Sequence, residues 1–289
     1  MLGQVEGFHS AGEVRHVWAR GFVGNQLCGC RRPFRDCPFW SEVVQTGFGG
    51  FDQVDGREVR ALQRTVDHVW HIPGIAWNVG ARRFRTDLVN YLGHLGALYR
   101  AMREVSGARV IIDSSKGASH AFLLRSLPGV RVWVIHMVRD SRAVAHSWQR
   151  TKVRPEIHWR REHMPRLSPV RSSMEWDALN LAVHATRFAG MPYVLLRYED
   201  FVREPRRTVE RLLGWLGRAG AALDFLDDGR FHVGESHTVS GNPARFEGPE
   251  ILLRPDVEWE SEMGWGDRLL VTSLTMPLLA RYGYVGRRR

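Results

Sequence analysis

Val132-Trp133-Val134-Ile135-His136-Met137-Val138-Arg139-Asp140-Ser141-Arg142-Ala143-Val144-Ala145-His146-Ser147-Trp148 is the stretch that decides the fold. Its first half is short, apolar and β-branched, and it is entered from Pro128-Gly129. That is the pattern of a buried strand in a parallel sheet. The chain then turns at once into a helix. In open α/β sheets, ligands bind beyond the carboxyl ends of the strands. Arg139 therefore stands where an anion would sit. Asp140 or Ser141 can cap the helix, and the unbonded N–H groups of its first turn favour a nearby phosphate. Ser147 follows eight residues after Arg139, deeper in the helix. The plainer alternative is a strand–helix junction with a solvated arginine.

The same alternation extends outward. Residues 88–105 carry apolar side chains at 88, 89, 92, 95, 98, 99 and 102, a helical spacing. Val110 to Ile112 reads as a strand ending at Asp113, and 119–127 as a helix. After the strand 132–138 and the helix 141–151 comes a basic, proline-punctuated loop, 153–172. A helix over 174–188, a strand over 193–197, a helix over 205–216 begun by Glu204-Pro205 and a last helix over 267–282 complete the series. Residues 28–80 are rich in Gly, Pro and Trp and read as an irregular, partly helical insert. Val5 to Gly24 reads as the end of a helix, a turn at Ser10 to Gly12, and another helix. Strands alternating with helices predict an α/β fold, with a central parallel sheet flanked by helices.

The 289 residues carry a net charge of +10, and nearly all of the positive charge is arginine. The lysines are Lys116 and Lys152 alone. An arginine bias is what a GC-rich genome produces, and it makes a retained lysine notable. A basic surface suits an anionic ligand. Nucleic acid is not expected, because no basic helix, zinc finger or aromatic–basic ladder occurs. No apolar run approaches the roughly 18 residues of a membrane helix. No basic-then-apolar signal follows Met1, so a cytoplasmic protein without membrane contact is expected. Cys28, Cys30 and Cys37 cluster within ten residues. Three readings stay open for them: a metal site, for which His16 is the nearest upstream fourth ligand, a disulfide, or reduced thiols in a folded loop.

Four segments carry the candidate chemistry. Ile111-Ile112-Asp113-Ser114-Ser115-Lys116 is a strand running into a polar turn that presents a cation. Gly7-Phe8-His9-Ser10-Ala11-Gly12-Glu13 places a carboxylate after a turn, either as a general base or as an acid near the start of the next helix. Leu195-Leu196-Arg197-Tyr198-Glu199-Asp200-Phe201 joins a strand to a helix. Ser236-His237-Thr238-Val239-Ser240-Gly241-Asn242-Pro243-Ala244-Arg245-Phe246 is a glycine-bearing loop in which Arg245 can make paired bonds to a phosphate.

With the opening stretch, these segments resemble sulfotransferases that use 3′-phosphoadenosine 5′-phosphosulfate (PAPS). They are similar to bacterial members and to the tyrosylprotein branch, whose M-V-R-D-x-R-A followed by H-S has nearly the letters of 137–147. The resemblance covers residues 1 to about 265. It implies a P-loop-NTPase-like fold in one domain, 1–289, with 28–80 and 153–172 on the acceptor side. It implies that Arg139 and Ser147 hold the 3′-phosphate, that Tyr198 lies against adenine, and that His237, Asn242 and Arg245 contact the nucleotide. Lys116 would face the transferring sulfate and Glu13 would be the base, with no metal required. His120 reads as a helix-surface residue and the next candidate for a base.

The acceptor would be a hydroxyl or amine of a small molecule or peptide. Trp40, Trp70, Trp77 and Trp159 could stack on it, although buried core positions are the expectation for most of them. The family's 5′-phosphosulfate loop, G-x-x-R-S-G-T-T, does not occur in the sequence, and Met1 to Gln4 match the middle of the helix that follows it. A chain short by one strand, one loop and one helical turn is thus expected, either through a start codon called too late or through a true truncation. The second case leaves a non-catalytic PAPS-binding protein as the alternative function. A P-loop kinase is weaker, since no G-x-x-x-x-G-K-[ST] loop is present.

Overall fold

The computed structural model describes residues 1–227, 229–246 and 248–285. They form two compact units. Unit 1 comprises Met1–Val132, Pro155–Arg161 and Gly220–Ile251. Unit 2 comprises Trp133–Arg154, Glu162–Ala219 and the residues from Leu252 onward.

In unit 1, β1 (Phe8–Gly12) pairs in parallel with β2 (Val110–Asp113). Phe8 lies opposite Val110, His9 opposite Ile111 and Ser10 opposite Ile112; the register then slips so that Gly12 faces Asp113. The strand β1 corrects the helix–turn–helix expected over 5–24. Phe-His-Ser-Ala-Gly has no β-branched residue and two small polar or flexible ones, so its local signal is not that of a strand. Pairing with β2 and burial of Phe8 and Ala11 decide its conformation. A 3₁₀ turn (Val14–His16) and a π-helical segment (Val17–Val23) follow.

The insert is more regular than its composition suggested. It contains α1 (Pro38–Phe48), α2 (Gly56–Val66) and α3 (Ile72–Trp77). Pro38 opens α1, where its missing N–H is no loss. Asp55 caps α2 by accepting from Arg57 N at 2.7 Å. The long α4 (Arg82–Ser106) buries Leu88, Tyr91, Leu95, Leu98, Tyr99 and Met102, one face at three- and four-residue spacing. With Trp18, Phe34 and Trp40, each at most 1 % exposed, these side chains form the core of the unit. Fully burying such a side chain contributes roughly 1.5–3 kcal/mol. The helix α5 (Ala118–Arg125) follows β2.

In unit 2, β3 (Val134–Val138) pairs in parallel with β4 (Tyr193–Arg197), in unbroken register from Val134↔Tyr193 to Val138↔Arg197. The four parallel strands thus form two two-stranded sheets, one in each unit, and the short strands Leu226–Asp227, Arg230–His232 and Glu250–Leu252 form a three-stranded sheet. The helices are α6 (Ser141–Gln149), α7 (Pro169–Ala185), α8 (Tyr198–Arg203), α9 (Pro205–Trp215), α10 (Glu258–Glu262) and α11 (Trp265–Arg281). The helix α7 starts at Pro169, inside the stretch read as loop. Ser168 caps it, accepting from Arg171 N at 3.3 Å, and Pro169 is its first residue. Val138, Trp176, Leu279 and Tyr282 form one core cluster, and Ala143, Ala145, Trp259, Met263 and Val271 another. His136 is buried between the Tyr193 hydroxyl at 2.6 Å and Asn180 Oδ1 at 2.8 Å, and burial lowers its pKa. Among the described residues, no helix is long and apolar enough to cross a membrane.

Candidate active site

Parallel strands bring their carboxyl ends to the same side, and in unit 1 both ends carry predicted site residues. Glu13 follows the last residue of β1, and Lys116 comes three residues after the last of β2. Lys116 Nζ donates to Glu13 Oε1. Glu13 is 7 % exposed, whereas the lysine side chain remains largely open to solvent. The other carboxylate oxygen, Oε2, accepts from Ser240 Oγ at 2.9 Å, and that hydroxyl accepts from Arg20 Nη1 at 2.5 Å. Burial pushes the Glu13 carboxyl up, but the Lys116 charge and bond, the Ser240 bond and His16 outweigh it and hold the group below its usual value. Glu13 is therefore ionised at neutral pH. His16 lies 3.7 Å from Oε2, and burial and Arg20 lower its pKa to about 4.

Asp113 sets the spacing of this pair. Its Oδ1 accepts from Val14 N at 3.2 Å and Ser115 N at 2.8 Å, the amides next to Glu13 and Lys116 in the chain. Its Oδ2 accepts from the Tyr99 hydroxyl at 2.5 Å and from His120 Nε2 at 2.9 Å. Burial raises the Asp113 pKa, but the His120, Ser115 and Tyr99 bonds prevail and lower it. His120, expected on a helix surface, is 2 % exposed. The helix face that carries it packs inward, where Asp113 bonds its Nε2, while its Nδ1 is buried with no hydrogen-bond partner among the described residues. Asp67, 4.0 Å from the other ring nitrogen, accepts from Arg15 Nε at 2.7 Å and Ser119 Oγ at 2.6 Å.

The loop after residue 236 joins this site by pairing in parallel beside the end of β1. Val239 N donates to Ala11 O, and Glu13 N to Val239 O, both at 2.9 Å. Ser240 is held at φ 59° and is 3 % exposed. A non-glycine residue in that region is strained, and surrounding contacts must fix it. Arg245 supplies those contacts. Its Nη1 donates to Ser240 O at 2.6 Å and Thr238 O at 2.9 Å, and its Nη2 to Leu27 O at 3.3 Å. Burial is the main cause lowering the Arg245 pKa. Asn242 opens the turn Pro243–Phe246, its carbonyl accepting from Arg245 N at 3.1 Å. His237 stacks on Phe39, and its Nδ1 lies 3.3 Å from Cys37 Sγ. Sequence reading gave Ser240 no role; its only signal was the Ser-Gly-Asn-Pro turn.

In unit 2, Arg139 follows β3 and its guanidinium lies 5.3 Å from the centre of the Tyr198 ring. It makes an ion pair with Asp256. Its Nε is buried with no hydrogen-bond partner among the described residues. Burial depresses the Arg139 pKa against the opposing pull of Tyr198, Glu199 and Asp140. Asp140 caps α6, accepting from Arg142 N at 2.9 Å. Glu199 is structural: Oε1 accepts from Asp140 N at 3.1 Å and Oε2 from the Tyr284 hydroxyl at 2.6 Å. The Tyr198 hydroxyl donates to Arg254 O at 3.3 Å. Ser147 Oγ accepts from Lys152 Nζ at 2.9 Å. Both lysines of the chain thus contact a predicted site residue.

Of the four candidate acceptor-side tryptophans only Trp40 is buried. Trp70, Trp77 and Trp159 are 67 %, 72 % and 52 % exposed, which corrects the expectation that most would lie in the core.

A model of the sulfotransferase family matches residues 52–220, a span that contains Lys116, Arg139, Ser147 and Tyr198. Neither a curated protein nor a solved structure matches. The family match takes in more than half of the sequence, and by it this chain belongs to the sulfotransferase family.

Proposed function

We propose that the protein transfers a sulfuryl group from PAPS to a hydroxyl or amine of a small-molecule or peptide acceptor, as one transferase domain of the P-loop-like type. The observation that carries this reading is the Glu13–Lys116 pair at the ends of two parallel strands, within a chain of this family. The acceptor must lose its proton as its oxygen or nitrogen bonds to sulfur. Glu13, ionised and nearly buried, takes that proton. The bond from sulfur to the phosphate oxygen breaks, and 3′-phosphoadenosine 5′-phosphate leaves with the bonding pair. Lys116 turns from Glu13 to the negative charge building on the transferring group. Ser240, itself bonded by Arg20, keeps a hydrogen bond on the carboxylate while the lysine moves.

Arg139 and Ser147 hold the 3′-phosphate, and Tyr198 lies against adenine. A half-buried guanidinium with an unsatisfied N–H gains most from a doubly bonded anion. Arg245 serves the site by bracing the loop that carries Ser240.

Two measurements test the proposal. Calorimetry with 3′-phosphoadenosine 5′-phosphate should show binding that Arg139→Ala weakens by about 1.5–3 kcal/mol. Labelled PAPS offered with phenolic, sugar and amine acceptors should yield labelled product. Undiminished affinity in the variant refutes the nucleotide assignment. Binding without turnover on any acceptor favours a nucleotide-binding protein that does not transfer.

A further inference from the structure

We propose that Cys28, Cys30, Cys37 and His237 bind one zinc ion, which ties the loop carrying Ser240 to the cysteine turn. The inference does not depend on sulfuryl transfer. The three thiols lie within ten residues, and the histidine is 200 residues from Cys37. The fold nevertheless brings one ligand atom from each to within 4.8 Å of all the others. Cys37 Sγ is 3.5 Å from Cys28 Sγ and 3.3 Å from His237 Nδ1. A tetrahedral zinc with bonds of about 2.3 Å to sulfur and 2.0–2.1 Å to nitrogen separates its ligand atoms by roughly 3.5–3.8 Å. The set closes with little movement. Three thiolates and one imidazole are a structural zinc donor set, whereas magnesium and calcium prefer oxygen.

The backbone around the four residues fits that role. Arg31 N donates to Cys28 O at 2.9 Å and Cys28 N to Arg32 O at 2.8 Å, a tight turn that aims Cys28 and Cys30 together. Gly29 lies between them and donates to Thr238 O at 3.0 Å. A Cβ at Gly29 would stand 2.7 Å from both Ser236 O and Thr238 Oγ1, so only glycine lets the turn approach the loop this closely. Cys37 precedes the first turn of α1, where the helix dipole favours a negative sulfur. His237 is held at its ring and at its backbone. Phe39 stacks on it at 5.3 Å, Trp40 Nε1 bonds the His237 carbonyl at 2.7 Å, and Glu235 Oε1 lies 3.5 Å from Nε2. A carboxylate on the far nitrogen directs the near one at the metal, a common arrangement around zinc-bound histidine. A Cys28–Cys37 disulfide would use two of the thiols and give Cys30 and His237 no part.

The ion would fix residues 236–238 and, through them, Val239 on β1 and Ser240 on Glu13. Binding replaces the three thiol protons with the ion and releases them.

The test is elemental analysis of the full chain purified under reducing conditions from zinc-supplemented medium, with its intact mass measured in parallel. One zinc per chain is expected, with His237→Ala and Cys37→Ser each lowering the content at least about tenfold at equal folded protein. If Cys37→Ser does not fold, Cys30→Ser at the half-buried ligand and the zinc content of the unaltered chain still decide. Glu235→Gln should weaken zinc in a chelator competition by roughly 10-fold or more. Cobalt in place of zinc should give the visible bands of a tetrahedral thiolate site, and these should change in His237→Ala. Folded chain without metal, a mass two hydrogens short from a disulfide, or stoichiometric copper or iron in place of zinc each overturns the assignment.

Discussion

Glu13 has to be ionised to accept a proton and must still release it afterwards, and its neighbours set both limits. Lys116 and Ser240 keep it charged against burial. A base with a depressed pKa stays available to low pH, so the acidic limb of the kcat profile should fall below the usual carboxylate range. Glu13→Gln should lower kcat by roughly 10²–10⁴-fold with nucleotide affinity nearly intact. Turnover at the unaltered rate would transfer the role to another group, although not to His120, whose ring is bonded to Asp113 and buried. Arg139 poses the opposite problem. Its guanidinium already has an anion, Asp256, and a bound phosphate must displace it. Asp256→Asn should therefore tighten 3′-phosphoadenosine 5′-phosphate severalfold, up to about tenfold for each 1.4 kcal/mol of competition removed. Equal or weaker affinity in titration calorimetry would show that Asp256 helps to build the site.

Element by element, Gly12 shows how a strand end becomes part of a site. It has φ 81°, and a Cβ there would lie 2.5 Å from Val239 O and 2.9 Å from Ser240 O. Gly12→Ala should strain the turn and push residues 238–240 away, costing roughly 1 kcal/mol or more from conformation alone. The expected result is a lower melting temperature together with a fall in kcat beyond that of a distant variant of equal stability. A change in stability alone would mean that Ser240 does not matter to Glu13. The strands β2, β3 and β4 were legible because their β-branched, apolar runs declare themselves locally. The strand β1 was not, since Phe-His-Ser-Ala-Gly becomes a strand only through its pairing with β2. Pro169 was read as a break when it is a helix start, a distinction that depends on Ser168 and the residues after it. Glu13 rested on the family resemblance, since its strand was not legible. Lys116, Arg139 and Tyr198 could be picked out because each follows a strand that is legible locally, where chain order predicts place. Ser240, the buried Asp113–His120–Asp67 network and the approach of His237 to the cysteines could not. Those contacts join residues up to 227 positions apart, and no spacing rule connects them.

Across the whole molecule, several buried ionisable groups and an excess of positive charge make acid destabilising. Glu13, Asp67 and Asp113 are all held below their usual values, which are 4.5 for the glutamate and 3.8 for the aspartates. Each binds its proton more readily in the unfolded chain. The stability they contribute is complete above those values and is lost as pH falls through the lower native ones. His16 and His136 act earlier. Folding lowers their pKa from 6.5, so the unfolded chain begins to take up protons that the native state refuses once pH drops below about 6.5. The net charge of +10 counts all 13 histidines as neutral, so acidification adds to a self-repulsion already present. Urea unfolding midpoints should therefore fall steadily from about pH 7 to about pH 4.5. Salt separates the two causes. At about 0.5 M it screens repulsion between exposed charges but reaches buried groups poorly, so it should restore part of the lost stability and leave the rest. A midpoint that is flat across the range would mean that the buried imidazoles titrate alike in both states. Full recovery in salt would assign the acid sensitivity to surface charge alone and remove the buried network from the explanation.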